Sequence, residues 1–211
     1  MENSAKRIAE YLLQIKAIKL QPSNPFIWAS GWKSPIYCDN RKTLSFPEIR
    51  SYISECFARL VNEIYPQTEL IAGVATGAIA HGVLTAERLG LPFIYVRSGV
   101  KEHGLENQIE GYFEPGQKVV VIEDLISTGG SSLGAVRALR DAGCDVLGMA
   151  AIFTYEFKKA TDGFKAEKCT LNTLSNYSVL IETAVSTGYI GKSEVETLKQ
   201  WRIDPSVWGT K

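Results

Sequence analysis

Val119-Val120-Val121-Ile122-Glu123-Asp124-Leu125-Ile126-Ser127-Thr128-Gly129-Gly130-Ser131 is the stretch whose reading decides the fold. Four β-formers, Val119 to Ile122, run into two adjacent carboxylates, then into hydroxyls and glycines. A helix from about Gly129 to Ala142 follows, with Leu133, Val136 and Leu139 on its apolar face. The acids therefore belong at the carboxyl end of a strand, where open α/β sheets bind ligands. Glycine lets backbone approach a ligand closely, and free N–H groups at the positive end of a helix dipole form an anion cradle. A phosphate suits that cradle. The pattern G-x-x-x-x-G-K-[ST] of triphosphate sites is absent, as is the G-x-G-x-x-G of dinucleotide sites. Carboxylates placed just before the cradle can instead accept hydrogen bonds from the vicinal hydroxyls of a ribose whose 5-phosphate lies in it, because at a strand's end both can converge on one ligand.

Outward from this segment the chain alternates. Leu70 to Val74 and Phe93 to Val96 read as short buried strands, Gly77 to Leu89 as a helix, and Val146 to Phe153 as a further strand. Strand and helix in alternation predict a parallel sheet covered on both faces. Gly73-Val74-Ala75-Thr76-Gly77 is a second glycine-framed strand-to-helix turn, so its amides are placed for an anion as well. Towards the N-terminus, Ile8, Leu12, Ile15 and Ile18 form one helical stripe with Ser4 as its cap. Gln21 to Arg41, rich in proline and aromatics, reads as a flap of short strands and turns. Ser45-Phe46-Pro47-Glu48 has capping-box spacing and predicts a helix to about Tyr65; Ser193 and Glu196 predict another, and a helix is expected after Ser175-Asn176. Arg97 to Gln117 has no helical stripe and reads as a long functional loop. The organisation expected is one domain over 1–211, with N-terminal elements to about 45 and a core from about 46.

Composition narrows the partners. The 211 residues carry 23 Lys+Arg and 23 Asp+Glu, a net charge of zero that offers no overall field to nucleic acid or an anionic membrane. No apolar run is long enough for a membrane span, and Met1 to Glu10 lack the pattern of a secretory signal, so a cytoplasmic protein is expected. Cys38, Cys56, Cys144 and Cys169 form no C-x-x-C and, with only His81 and His103, no zinc quartet; reduced and mostly buried thiols are expected, with His81 an ordinary helix residue.

The strand, acid pair, two apolar residues and Thr/Ser/Gly loop resemble the phosphoribosyl-diphosphate motif of the type I phosphoribosyltransferases. Arg97-Ser98-Gly99-Val100-Lys101-Glu102-His103-Gly104 is similar to the catalytic loop of the orotate phosphoribosyltransferases, and Ser30-Gly31-Trp32-Lys33-Ser34-Pro35-Ile36-Tyr37 to their N-terminal hood. Thr173-Leu174-Ser175 and Gly188-Tyr189-Ile190 extend the likeness over nearly the whole chain. The resemblance implies a type I phosphoribosyltransferase fold, a parallel twisted sheet flanked by helices with a small N-terminal hood. It implies transfer of the phosphoribosyl group to orotate, giving orotidine 5'-monophosphate and diphosphate for pyrimidine biosynthesis.

The same resemblance implies site roles. Lys101, His103 and Asp124 would be catalytic; Arg97, Lys101, His103, Glu123, Asp124, Leu125, Ile126, Ser127, Thr128, Gly129, Gly130, Ser131 and Thr76 would bind phosphoribosyl diphosphate; Ser127, with Lys33 or Arg41 as the carboxylate's cation, would bind orotate. Mg²⁺ would bridge substrate oxygens, with no metal held by protein alone. A homodimer sharing its active sites is implied, with no nucleic-acid or membrane partner. The chain departs from some relatives in having Ser98 and Ala29 where they carry lysine, and Phe153-Thr154-Tyr155-Glu156 where they carry an arginine.

Overall fold

The computed structural model describes residues 2–28, 31–97 and 108–209. Helix α1 (Glu2–Gln14) exists because Ile8, Ala9, Leu12 and Leu13 make one buried face. It begins ahead of Ser4, which lies in its first turn rather than capping it, and it ends before Lys16, whose φ is 56°. Ile18, expected on the helical stripe, opens strand β1 (Ile18–Leu20) instead.

The flap consists of two small antiparallel ribbons. Strand β2 (Phe26–Ile27) pairs with β3 (Lys33–Ser34), and β1 pairs with β4 (Ile36–Cys38). A 3-10 turn, Asn40–Ser45, leads into α2 (Pro47–Ile64). The expected Ser45 capping box does not form: Ser45 ends the 3-10 turn, Phe46 is the N-cap without a side-chain bond, and Pro47 starts the helix, where its fixed φ and missing N–H cost nothing.

The core then follows as β5 (Leu70–Val74), α3 (Ile79–Leu89), β6 (Phe93–Val96), β7 (Ile109–Glu110), β8 (Lys118–Ile126), α4 (Gly130–Asp141), β9 (Asp145–Thr154), α5 (Lys158–Ala166), β10 (Leu171–Asn176), α6 (Tyr177–Ser186) and α7 (Val195–Ile203). One six-stranded sheet has the order β10-β9-β8-β5-β6-β7 and is parallel except for the short edge strand β7. The mostly parallel sheet predicted from the alternating pattern is thus present. Val120 and Ile122 face a core shared with α1, α2 and α6, while Val119 and Val121 face Leu133, Val136 and Leu139 of α4 and Phe164 of α5. Burial on both faces is why this strand reads as an unbroken apolar run.

Three further readings change. The expected loop from Arg97 to Gln117 contains β7, paired with β6 through Tyr95 and Val96. Helix α5 and strand β10 had no sequence signal: α5 turns in only Ala160 and Phe164, and β10 is the polar run Leu-Asn-Thr-Leu-Ser-Asn. The Ser193–Glu196 box does not form: Glu194 Oε2 accepts from Gly191 N at 2.9 Å across a 3-10 turn, Lys192–Glu194, and α7 follows from Val195. All four cysteines are free and all but Cys38 are buried. Among the described residues no helix is long and apolar enough to cross a membrane.

Helix α7 is anchored by Trp201, fully buried with ring centroids 5.6 Å from Trp28, 5.6 Å from Tyr155, 5.3 Å from Phe157 and 5.7 Å from Tyr177. One side chain therefore joins the C-terminal helix, the end of β9 and the flap. Trp201→Ala should cost about 3–5 kcal/mol of stability in urea denaturation, the usual range for deleting a buried tryptophan; a change under about 1 kcal/mol would mean that this cluster does not hold the flap.

Candidate functional site

The site arises where the sheet changes direction. From β5 the chain moves outward to β6, whereas from β8 it moves the other way to β9 and β10, so the carboxyl ends of β5 and β8 diverge. This is the switch point at which open α/β sheets leave a crevice. Strand β8 is longer than its sequence suggested and runs through both acids to Ile126, because β9 accompanies it as far as Ile126 opposite Thr154. On its other edge, pairing with β5 stops at Gly73 opposite Ile122. Glu123 to Ile126 thus form a strand with one edge open to the crevice.

Asp124 shows what that open edge requires. Its N–H donates to Glu123 Oε1 at 2.9 Å and its carbonyl accepts from Asn40 Nδ2 at 2.6 Å. Two side chains thereby satisfy the backbone groups that a neighbouring strand would otherwise pair. Glu123 is 5% exposed, and its Oε2 accepts from Ser132 Oγ at 2.8 Å. Burial, and next the charge of Asp124, push the Glu123 carboxyl well above the usual range.

A cavity of about 460 Å³ lies over this edge. It is floored by Glu123, Asp124 and Leu125, and closed on one side by Ser127, Thr128, Gly129, Gly130 and Ser131 and on another by Ala75, Thr76 and Gly77. Gly129 has φ 82° at the N-cap of α4, a left-handed turn that glycine adopts without strain and that presents the following N–H groups to the cavity. Gly77 lies so close to the Asp124 carboxylate that a Cβ there would overlap it. Cys38, Asp39 and Arg41 form the remaining wall. The Arg41 guanidinium, 2.7 Å from Asp39 Oδ1, holds that carboxyl below the usual range, while burial, and next the charges of Asp124 and Asp39, push the Cys38 thiol well up.

A second recess of about 280 Å³ adjoins the first and shares Cys38, Leu125 and Ser127 with it. Its other walls are Ile27, Trp28, Tyr37 and Tyr155. The larger cavity is polar and faces the amide-rich turns; the smaller is lined by the aromatic side chains Trp28, Tyr37 and Tyr155. Such a pair fits a phosphorylated sugar joined to a planar ring.

Most residues singled out from sequence meet here: Thr76, Glu123, Asp124, Leu125, Ser127, Thr128, Gly129, Gly130, Ser131 and Arg41 all line the larger cavity. Ile126 is different, its side chain being buried in the core beneath. Lys33 is placed elsewhere, with its Nζ donating to the Gly209 carbonyl at 2.8 Å, and it lines neither cavity. Arg97 pairs with Glu110 at 3.1 Å, and its N–H donates to the Gln108 carbonyl at 2.9 Å. Lys101 and His103, like Ser98 and Ser30, lie outside the described residues. Asn40, Ser132 and Cys38 were missed: nothing local marks Asn40, whose partner Asp124 is 84 positions away, and Ser132 and Cys38 carry no motif of their own.

Comparison with known proteins agrees with this geometry. The phosphoribosyl transferase domain family matches residues 44–186. The orotate phosphoribosyltransferase of Bacteroides fragilis is 59% identical over 210 residues, covering 100% of this chain and 99% of that protein. Its counterpart from Porphyromonas gingivalis is 58% identical over 209 residues, covering 99% of this chain and 100% of the relative. The crystal structure of orotate phosphoribosyltransferase from Aeropyrum pernix superposes with a TM-score of 0.76 at 26% identity, over 87% of this chain and 99% of that one.

The raised Glu123 value has a sign that can be measured. A carboxyl whose folded value exceeds its unfolded one favours folding while protonated, and that contribution is lost as pH rises from the ordinary carboxylate value towards the folded one. Glu123→Gln removes the penalty. The variant should therefore melt at or above the parent temperature near about pH 8, with the gap closing as pH falls to about 4; a variant that is less stable at the higher pH and gains nothing from it would contradict the assignment.

Proposed function

The chain belongs to the phosphoribosyl transferase family, within its orotate branch, and from that membership we propose how its cleft works. The enzyme transfers the phosphoribosyl group of 5-phospho-α-D-ribose 1-diphosphate to orotate, giving orotidine 5'-monophosphate and diphosphate in pyrimidine biosynthesis. The observation that carries the assignment of parts is the junction of the two cavities at Leu125 and Ser127. The 5-phosphate takes the turn from Ser127 to Ser131, the ribose hydroxyls face Asp124 with Glu123 behind it, and the diphosphate lies toward Thr76 and Gly77. Orotate enters the aromatic recess between Trp28, Tyr37 and Tyr155, so that its ring nitrogen meets the sugar carbon near Ser127.

No activated protein nucleophile is needed, because the ring nitrogen attacks as the carbon–oxygen bond to diphosphate stretches. Positive charge building on the sugar is favoured by Asp124 through hydroxyl contacts and proximity. Diphosphate departs with several negative charges, and Arg97, Lys101 and His103 supply cations while excluding water that would hydrolyse the sugar. Among the described residues Arg41 is the one cation lining the larger cavity, where Cys38 is shared with the aromatic recess, and we assign the orotate carboxylate to it. Lys33, held by Gly209, is left to brace the hood.

The donor set suits Mg²⁺ shared with substrate. No group of three or more His, Cys, Asp or Glu that could hold a metal converges among the described residues, whereas Asp124 offers a hard carboxylate oxygen in the cleft. When bound, the ion neutralises charge on the diphosphate. Asp124 would be the protein's contact to it. The remainder of the reading is a single domain, a hood to about residue 45 and a core beyond, acting in the cytoplasm as a homodimer whose loop serves the neighbouring site.

Incubation with Mg²⁺, phosphoribosyl diphosphate and, separately, orotate, uracil, hypoxanthine and adenine tests the reading by absorbance. Orotate should be consumed; turnover of hypoxanthine without orotate ends the assignment. Lys101→Ala should lower turnover at least about tenfold with an unchanged melting temperature, the scale of losing a charge-stabilising contact. Asp124→Asn should do likewise, again by about tenfold or more. Parental turnover in either variant removes that residue from the mechanism.

A further inference from the structure

Between the hood, the first turn of α3 and the tip of β8 runs a set of buried polar side chains that the reaction above leaves without a task. Asn40 is 1% exposed, and Thr43 and His81 are fully buried. Asn40 Nδ2 donates to the Asp124 carbonyl at 2.6 Å, Thr43 Oγ1 donates to the Asn40 carbonyl at 2.6 Å, and Thr43 Oγ1 lies 3.0 Å from His81 Nε2. Cys38 Sγ, 3.3 Å from Asn40 Oδ1, fixes which end of the amide faces Asp124. Buried polar groups of this kind are retained at a cost unless each is paired, so a linked set across three elements is an ordering device.

The bonds have a direction. The Thr43 hydroxyl spends its one proton on the Asn40 carbonyl, so its lone pair accepts from His81, which must carry its proton on Nε2. Nδ1 is then a bare lone pair, in keeping with its having no hydrogen-bond partner. Burial also holds the ring neutral, its value lowered to about 4. His81 stands in the first turn of α3, directly after the Thr76-Gly77 turn that faces the diphosphate side.

We propose that Asn40, Thr43 and His81 are positioning residues that lock the main chain at Asp124 to the start of α3, so that the ribose side and the diphosphate side of the cleft hold one mutual geometry. Asn40 acts on the carbonyl of Asp124, Thr43 sets the backbone that carries Asn40, and His81 ties both to α3. The inference rests on the cleft assignments made under the proposed function. Its signature is selective: the sugar diphosphate spans both sides of the cleft, while orotate occupies the aromatic recess, which these residues do not line.

Thr43→Val keeps the shape and deletes the hydroxyl, and Thr43→Ser restores it. Thr43→Val should raise KM for phosphoribosyl diphosphate by about tenfold while KM for orotate moves by less than about twofold, and Thr43→Ser should return both to within about twofold of the parent. Unchanged kinetics in Thr43→Val, equal movement of both KM values, or no recovery with serine overturns the proposal. A second measurement needs no variant. With only His81 and His103 in the chain, ring-nitrogen NMR of the parent protein should find the buried histidine neutral, protonated at Nε2, and shifted on adding phosphoribosyl diphosphate. A proton on Nδ1, or resonances indifferent to the ligand, overturns it. Lack of orotate turnover by the parent protein would sink the reaction reading alone, since the tautomer and calorimetric binding of phosphoribosyl diphosphate are read without turnover.

Discussion

Everything at the site follows from β8 losing its partner on one edge after Ile122. A strand paired on both sides presents no backbone to a ligand, and one paired on neither cannot hold side chains in place. Here β9 supplies a continuous ladder to Ile126, while β5 has already turned away. The exposed edge must still be satisfied, and the Asp124 N–H and carbonyl are met by Glu123 and Asn40. A carboxylate is thereby mounted on a paired strand yet opened to the cleft, combining two requirements that usually compete.

This arrangement recasts the paired acids. Adjacent in sequence, they resemble two equivalent ligands for one sugar. In the fold they differ: Asp124 faces Gly77 and the cavity, whereas Glu123 is buried against Ser132 and the Asp124 amide. Burial, and next the charge of Asp124, oppose ionisation of Glu123, so the pair divides into an acid that faces the cavity and a buried brace. The hood contributes on the other side, where Trp28 and Tyr155 wall the aromatic recess and Trp201 packs against both from behind.

How much of this was legible in sequence depended on how local the cause was. The β8–α4 segment could be read because strand propensity, acids, glycines and helix stripe lie within one window. The sheet followed from the alternation of β5, α3 and β6, whose spans match the prediction closely. Helix α5 and strand β10 were silent, being short and polar and stabilised by what they pack on, not by their own pattern. Ser45 obeyed the spacing of a cap but was overruled by Pro47 and the 3-10 turn before it. Asn40 and Cys38 reach the cleft only when the finished fold brings them to Asp124, whereas Ser132, close to Glu123 in sequence, looks like any hydroxyl in the first turn of a helix. Lys33 shows the converse, a cation of suitable chemistry in a suitable segment whose reach is taken up by the chain's other end.

Gly77 has an implication for the mutational landscape. Its missing side chain is occupied by the carboxylate of Asp124, a short and rotatable group, so a methyl group there has somewhere to push without opening the core. In a pooled library scored separately for cellular abundance and for growth without supplied pyrimidine, substitutions at this codon would fall in the quadrant of well-expressed but inactive alleles. Core positions such as Phe57 would lose both scores together. The codon thus separates foldability from chemistry, which makes it a natural internal standard for calibrating such a map.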